Sequence, residues 1–261
     1  MLTLSSVDLE GMLTLFLFPL VRILAWLSFD PLLGNRSAPA RVRLILGVAL
    51  AVAIVPVLPP VEPVVLMSAD GILVLLQQIA IGAALGFTLR IIFAAVELAG
   101  QFIGLQMGLS FATLFDPVNG AQTPVIAQFL VLTSALVLFA LNGHHLVIGA
   151  LVQSFYDIPV SASLSGAGFA MVANWAAALF STALHIALPI TAALLATNLA
   201  IGMMTRASPQ LNIFAIGFPL TLGAGFVVLY FTLAYLPGLL EQLWLKAMQV
   251  GAAAMFGVAG R

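Results

Sequence analysis

The sequence predicts an all-α membrane protein. Hydrophobic residues make up 63% of the 261 and charged residues only 7%, whereas a soluble domain has roughly 45–50% apolar and about 25% charged residues. Three long stretches, 117–156, 158–205 and 207–240, contain no Asp, Glu, Lys or Arg. Apolar runs such as 131–141 lack the alternation of a membrane β-strand, so the spans are predicted to be helices.

We predict six or seven hydrophobic helices, arranged as helical hairpins, because a crossing needs about 20 apolar residues. The run at 169–204 is about twice the needed length, and Pro189 in its middle could kink it or split it into two half-spans. The candidate spans are 11–29, 44–59, 71–89, 91–115, 125–141, 169–204 and 213–236. We interpret the first run as a retained membrane segment, since no Lys or Arg precedes it.

Two domains are predicted: a polytopic helical domain over 1–237 and an amphipathic C-terminal tail over 238–261. Leu, Ala and Val share one face of this tail and Gln and Lys another. The tail is expected to be a packing or interfacial helix, or else a docking helix. Arg36, Arg41 and Arg43 fall in one short loop, which indicates that this loop is cytoplasmic.

The span at 91–115 is the most polar one. Glu97, Gln101, Gly104 and Gly108 lie on one helical face. A carboxylate at membrane depth costs roughly 2.5–3.5 kcal/mol, so Glu97 is expected to face protein or water. Glu97 and Gln101 are thus candidate buried polar residues, either as structural hydrogen-bonding groups or as the lining of a conduit.

Glycines recur at the spacing that lets membrane helices approach closely. Gly82 and Gly86 form one such step, and Gly100, Gly104 and Gly108 form two more. These five glycines are predicted helix-packing residues, within the chain or between subunits.

An apolar cluster precedes a turn. Met107, Phe111 and Phe115 are spaced four apart, and Asp116 begins an Asp-Pro turn signal. Such a cluster can seal a pore or be ordinary packing, and the pattern alone leaves both readings open.

A polar island interrupts the charge-free runs. Arg206, Pro209, Gln210 and Asn212 belong to it. Such a segment is either an extramembrane loop or irregular backbone lining a cavity within protein.

No enzyme motif, metal site or cofactor site is predicted. The chain has no cysteine, and His144, His145 and His185 lack metal-ligand spacing. With a net charge of −1, nucleic acid is not an expected partner.

Four segments resemble the FliR family of flagellar export proteins. They are GLQMGLSFATLFDPVNGAQTPVIAQFL (104–130), LFALNGHHL (138–146), RASPQLNIFAIGFPL (206–220) and PLLGNRSAPARVRLIL (31–46). The resemblance implies a non-enzymatic subunit of the hetero-oligomeric export gate of type III secretion. The expected partners are FliP, FliQ, FlhB, FlhA, membrane lipid and unfolded flagellar subunits in transit. The expected location is the inner membrane, at the flagellar basal body.

The resemblance also implies roles for individual residues. Residues 108–116 match the family's loop that helps to plug the closed channel, so Met107, Gly108, Phe111, Phe115 and Asp116 are assigned to closure. The island that contains Arg206, Pro209, Gln210 and Asn212 matches the family's polar signature segment, with an expected place at a subunit contact or in the pore lining.

Three alternatives remain at this point. One is a virulence secretion homologue of the same family. Another is a small-solute secondary transporter that uses Glu97, Pro189 and Arg206. The third is an intramembrane hydrolase built on Ser110 and a His, although the sequence offers no base positioned to activate the serine.

Overall fold

The computed structural model describes residues 6–34, 38–59, 64, 66–109, 124–160, 166–208 and 213–258. Within these ranges the regular structure is entirely helical, and the all-α prediction is confirmed. The helices are α1 (Ser6–Phe29), α2 (Ala40–Ile54, followed by a 3-10 turn at Val55–Val57), α3 (Ala69–Gln106), α4 (Val125–Ala140), α5 (Gly143–Asp157), α6 (Gly166–Trp175), α7 (Ala178–Ala207) and α8 (Ile213–Val258).

Several of these helices are long and apolar enough to cross a membrane. Four segments qualify within the described residues: Ala40–Val57, Ala69–Gln106, Ala170–Ala207 and Ile216–Gly251. The pair α4 and α5 qualifies only when it is joined across a break, which raises the number to five. The predicted membrane character is therefore supported by helix length and composition.

The predicted spans differ from the helices in several ways. Helix α2 begins at Ala40, so Arg41 and Arg43, predicted to lie in a loop, belong to a helix. The runs 71–89 and 91–115 form the single helix α3, because neither Gly nor Pro separates them at Arg90. The long run 169–204 breaks just before Ala178 rather than at Pro189, which lies inside α7. The short helix α5 occupies a region where the sequence predicts no span.

The first of two compact units contains residues 1–91, 142–176 and 244–261. Its core includes Phe18, Ile23 and Leu27 of α1 and Leu151 and Phe155 of α5, all at most 2% exposed. Gly47 of α2 lies against α1, where an added Cβ would stand 2.4 Å from Cδ2 of Leu24.

The second unit contains residues 92–141 and 177–243. Its buried side chains come from the later part of α3 and from α4, α7 and α8, and they include Ile103, Leu130, Ile190, Leu194 and Leu236. These side chains are regularly spaced along each helix, as expected when one face of an apolar helix packs inward.

The predicted tail is part of a longer helix. Helix α8 runs without a break past residue 237, with Pro237 inside it. The inward face of its last turns carries Leu240, Trp244, Ala247 and Gly251, while Leu239, Leu243 and Val250 of the predicted apolar face are half-buried. Within the first unit, a Cβ added at Gly251 would stand 3.5 Å from Oγ1 of Thr88 on α3.

Candidate functional site

Helix α3 ends in a defined capping motif. The N–H of Leu109 donates to the carbonyl oxygen of Gly104 at 3.0 Å, and the N–H of Gly108 donates to that of Leu105 at 3.1 Å. Gly108 has a φ of 79°. These are the two hydrogen bonds and the left-handed residue of a Schellman motif, which favours glycine because a Cβ is strained there. Gly108 therefore terminates α3 nine residues before Pro117.

Met107, one residue earlier, is fully buried against α8. Its Cγ, Sδ and Cε atoms would lie 2.7, 2.9 and 2.8 Å from a Cβ added at Gly225. The side chain is 0% exposed. Met107 thus occupies a space that exists because residue 225 has no side chain. The other predicted members of the closure cluster, Phe111, Phe115 and Asp116, lie outside the described residues.

The polar face of α3 is only partly covered. Glu97 and Gln101, predicted to be buried, are half-buried in the single chain. Phe102 and Leu105 beside them are exposed. This part of α3 therefore carries a carboxylate and an amide that the described chain covers only in part.

The predicted glycine seams make different contacts. A Cβ added at Gly82 would stand 2.2 Å from the carbonyl oxygen of Arg22, and one at Gly86 would stand 2.7 Å from that of Trp26. These two glycines therefore bring α3 against the backbone of α1.

The second seam is tight at one glycine only. A Cβ added at Gly100 would stand 2.4 Å from Cα of Ala127 on α4, whereas at Gly104 the nearest atom would be 3.8 Å away. Gly100 is required for contact between α3 and α4. Gly104 has room for a methyl group.

Arg206 lies in the last turn of α7 and is exposed. A cation in this position interacts favourably with the negative end of the helix dipole. Pro209, Gln210 and Asn212 of the predicted polar segment lie outside the described residues.

A buried arginine forms a polar cluster that the sequence analysis missed. Arg22 of α1 is 0% exposed. Its Nε donates to Oε1 of Gln78 at 2.7 Å, Nη1 donates to the backbone oxygen of Ser154 at 2.8 Å and to its Oγ at 3.2 Å, and Nη2 donates to the backbone oxygen of Ile158 at 3.0 Å. The guanidinium also lies 4.1 Å from the ring centroid of Phe155. The cluster joins α1, α3 and α5 within the first unit.

The sequence does carry a signal for this cluster. Arg22 is the one charged residue in the run 11–29, and a charge in an apolar helix normally faces protein and is paired. Its partners could not be found in the same way, because two of the four acceptors are backbone oxygens.

Asp30 is a second buried charged group, at the end of α1. Its Oδ1 accepts hydrogen bonds from the N–H groups of Leu32 and Leu33, both at 2.9 Å. Burial raises the pKa of the Asp30 carboxyl, and these two backbone donors partly oppose that rise. The carboxyl closes the turn that follows the helix. In the described ranges, no three His, Asp or Glu side chains come together as a metal site.

Known proteins resemble this chain over most of its length. The profile described as "Bacterial export proteins, family 1" matches residues 13–247. The chain is 40% identical to a "Flagellar biosynthetic protein FliR" of Pectobacterium carotovorum subsp. carotovorum, covering 94% of both chains. It is 42% identical to the protein of that name in Escherichia coli (strain K12), covering 86% of both. This chain belongs to the FliR family of bacterial export proteins.

Membership in the FliR family makes the chain a component of the flagellar export apparatus, with helices that can span a membrane. The match extends to relatives of lower identity, with 34% identity to the Bacillus subtilis (strain 168) protein over 82% of this chain. The matched region contains the end of α3, the Arg22 cluster, Gly225 and Arg206. The site geometry described above therefore lies within the part of the chain that defines the family.

Proposed function

We propose that this protein is a non-enzymatic subunit of the flagellar type III export gate. In this proposal it helps to form and close the channel through which unfolded flagellar subunits are secreted, and flagellum assembly requires it. It assembles with FliP and FliQ, contacts FlhB and FlhA, and lies in the inner membrane at the flagellar basal body. The observation that carries the proposal is the family match over residues 13–247, with FliR proteins as relatives.

The surface of the chain supports an assembled state. Large apolar side chains are exposed on several helices, including Ile45 of α2 at 69%, Leu199 of α7 at 66% and Phe231 of α8 at 65%. A surface that exposes this many large apolar side chains is typical of contact with lipid or with other proteins. A subunit that forms a channel wall together with its neighbours contacts both lipid and other subunits.

The end of α3 supports a role in closure. The chain leaves α3 at Gly108, directly after the buried Met107, and continues into the sequence Ser110–Pro117 that holds Phe111, Phe115 and Asp116. A closure built from Phe and Gly would be sterically defined and chemically unspecific. This suits a conduit for varied unfolded chains better than a ring of fixed charges, which sets ion selectivity.

The comparisons favour the flagellar over the virulence system, because the relatives above are named as flagellar proteins. The polar segment that begins at Arg206 is proposed to contact a neighbouring subunit or to line the pore. Arg206, its first residue, is exposed at the end of α7 and is available for either contact.

The closure role is tested with Phe111→Ala, and with Phe111→Leu as a control that keeps most of the apolar volume. Phe111→Ala should make the membrane of cells containing the assembled gate leak ions or small dyes, while Phe111→Leu should stay near wild type. Complex yield is measured in parallel. An unchanged conductance at normal yield would remove the closure assignment.

Ser110→Ala should leave motility near normal, and loss of motility at normal complex yield would favour the hydrolase alternative.

A further inference from the structure

The side chain of Met107 fills the place that a Cβ would take at Gly225 of α8. Three consecutive side-chain atoms of Met107 lie 2.7–2.9 Å from the place of a Cβ at Gly225, closer than real Cβ contacts allow. Gly223, two residues earlier on the same helix, has no neighbouring atom within 4 Å of that place. A side chain at residue 225 would therefore require Met107 to move, whereas a side chain at residue 223 would not.

The end of α3 is also fixed by its own backbone. The N–H of Met107 donates to the carbonyl oxygen of Ile103 at 2.9 Å, and the two Schellman hydrogen bonds follow immediately. Ile103, one turn earlier, is 0% exposed like Met107, whereas Leu105 between them is 59% exposed. The inward face of this last turn is therefore held by packing, and its outward face is free.

We propose that Met107 and Gly225 form a fixed anchor that positions the end of α3 on α8. Met107 is then a positioning residue whose contact with Gly225 is kept during export. This inference rests on the proposed function, because it concerns the base of the segment to which closure is assigned. It also changes the expectation from sequence that the Met107 side chain itself helps to seal the channel.

The first test exchanges volume between the two positions. Gly225→Ala should lower the amount of assembled complex, because the methyl group displaces Met107, while the matched control Gly223→Ala should not. Met107→Ala should also lower the yield, by leaving a cavity. The double variant Met107→Ala with Gly225→Ala should give a higher yield of complex than the combined effects of the two single substitutions would predict. The contact would be contradicted if the yield losses of Met107→Ala and Gly225→Ala combined independently in the double variant. It would also be contradicted if Gly223→Ala and Gly225→Ala lowered the yield equally.

The second test uses the absence of cysteine from the sequence. Met107→Cys and Gly225→Cys are combined, the assembled complex is oxidised, and export of flagellar subunits is measured before and after reduction. A fixed anchor predicts that the disulfide forms and that export continues while it is in place. The control pair Met107→Cys with Gly223→Cys should cross-link less.

Two results would contradict the anchor. Export that stops on oxidation and resumes on reduction would show that residues 107 and 225 must separate during export. Absence of the cross-link at normal complex yield would show that the contact is not formed in the gate. A failure of the closure role is distinguishable, because it would appear as an unchanged conductance in Phe111→Ala and would leave the cross-link at 107 and 225 intact.

Discussion

Arg22 lies on α1, and its hydrogen-bond acceptors lie on α3 and at the end of α5. The backbone oxygens of Ser154 and Ile158 belong to the C-terminal end of α5, where carbonyl groups carry partial negative charge. The planar guanidinium presents its donors in a fixed fork, so one side chain contacts both carbonyls, the Ser154 hydroxyl and Gln78. A buried cation is stabilised here by neutral oxygens and by the face of Phe155.

We predict that Arg22→Ala destabilises the protein by about 3–5 kcal/mol, because several buried acceptors lose their donor. Arg22→Lys should cost about 1–3 kcal/mol, since an ammonium keeps the charge but cannot reproduce the fork and leaves a buried acceptor unpaired. Thermal unfolding of the purified complex measures both. Arg41→Lys, at an exposed position on α2, is the control and should be near wild type. Equal unfolding temperatures for the two lysine variants would contradict the role of the cluster.

At the scale of helices, the sequence predicts that a segment is helical better than it predicts where the helix begins and ends. Composition and charge-free length were enough to predict an all-α membrane protein, because the backbone in lipid must satisfy itself. Boundaries were harder, since Pro189, Pro219 and Pro237 all lie inside helices, where neighbouring helices can satisfy the freed backbone groups. The end of α3 was predicted too late because Gly108 was interpreted as a packing glycine, whereas its positive φ ends the helix.

Glycine spacing identifies candidate seams but not which glycine is in contact. Gly100 and Gly104 are indistinguishable by pattern, yet only Gly100 lies against the backbone of Ala127. That difference depends on the path of α4, which sequence spacing on α3 does not contain. The Arg22 cluster was missed for the same reason, because its partners are contributed by distant segments.

We therefore predict opposite outcomes for two alanine substitutions on α3. Gly100→Ala should reduce complex yield, because its methyl group would meet α4 backbone and separate the helices. Gly104→Ala should be neutral or stabilising by up to about 1 kcal/mol, since it fits and alanine has the higher helix propensity. Yield and unfolding temperature of the complex measure the contrast. Equal losses at both positions would indicate that α4 does not pack here as described.

At the scale of the whole molecule, the exposed apolar residues require a surrounding of lipid or of other proteins. Ile45 and Tyr230 are 69% and 72% exposed, whereas Leu229, next to Tyr230, is 4% exposed. Such surfaces are covered by lipid or by other proteins. Helix association in lipid is driven by packing rather than by hydrophobicity. Composition alone therefore does not distinguish a surface that contacts lipid from one that contacts another protein.

Single cysteines placed in this cysteine-free sequence can distinguish them. We predict that Tyr230→Cys reacts readily with a thiol probe when the chain is expressed alone and extracted in detergent, and that co-expression with the proposed gate partners slows the reaction. Leu229→Cys, on the inward side of α8, should react slowly in both cases. The chain expressed alone should also aggregate, whereas the co-expressed chain should elute as a defined complex several times heavier than 27.3 kDa. A stable monomer whose labelling is unaffected by co-expression would mean that detergent or lipid, rather than neighbouring subunits, covers this face, and the export-gate proposal would lose its structural support.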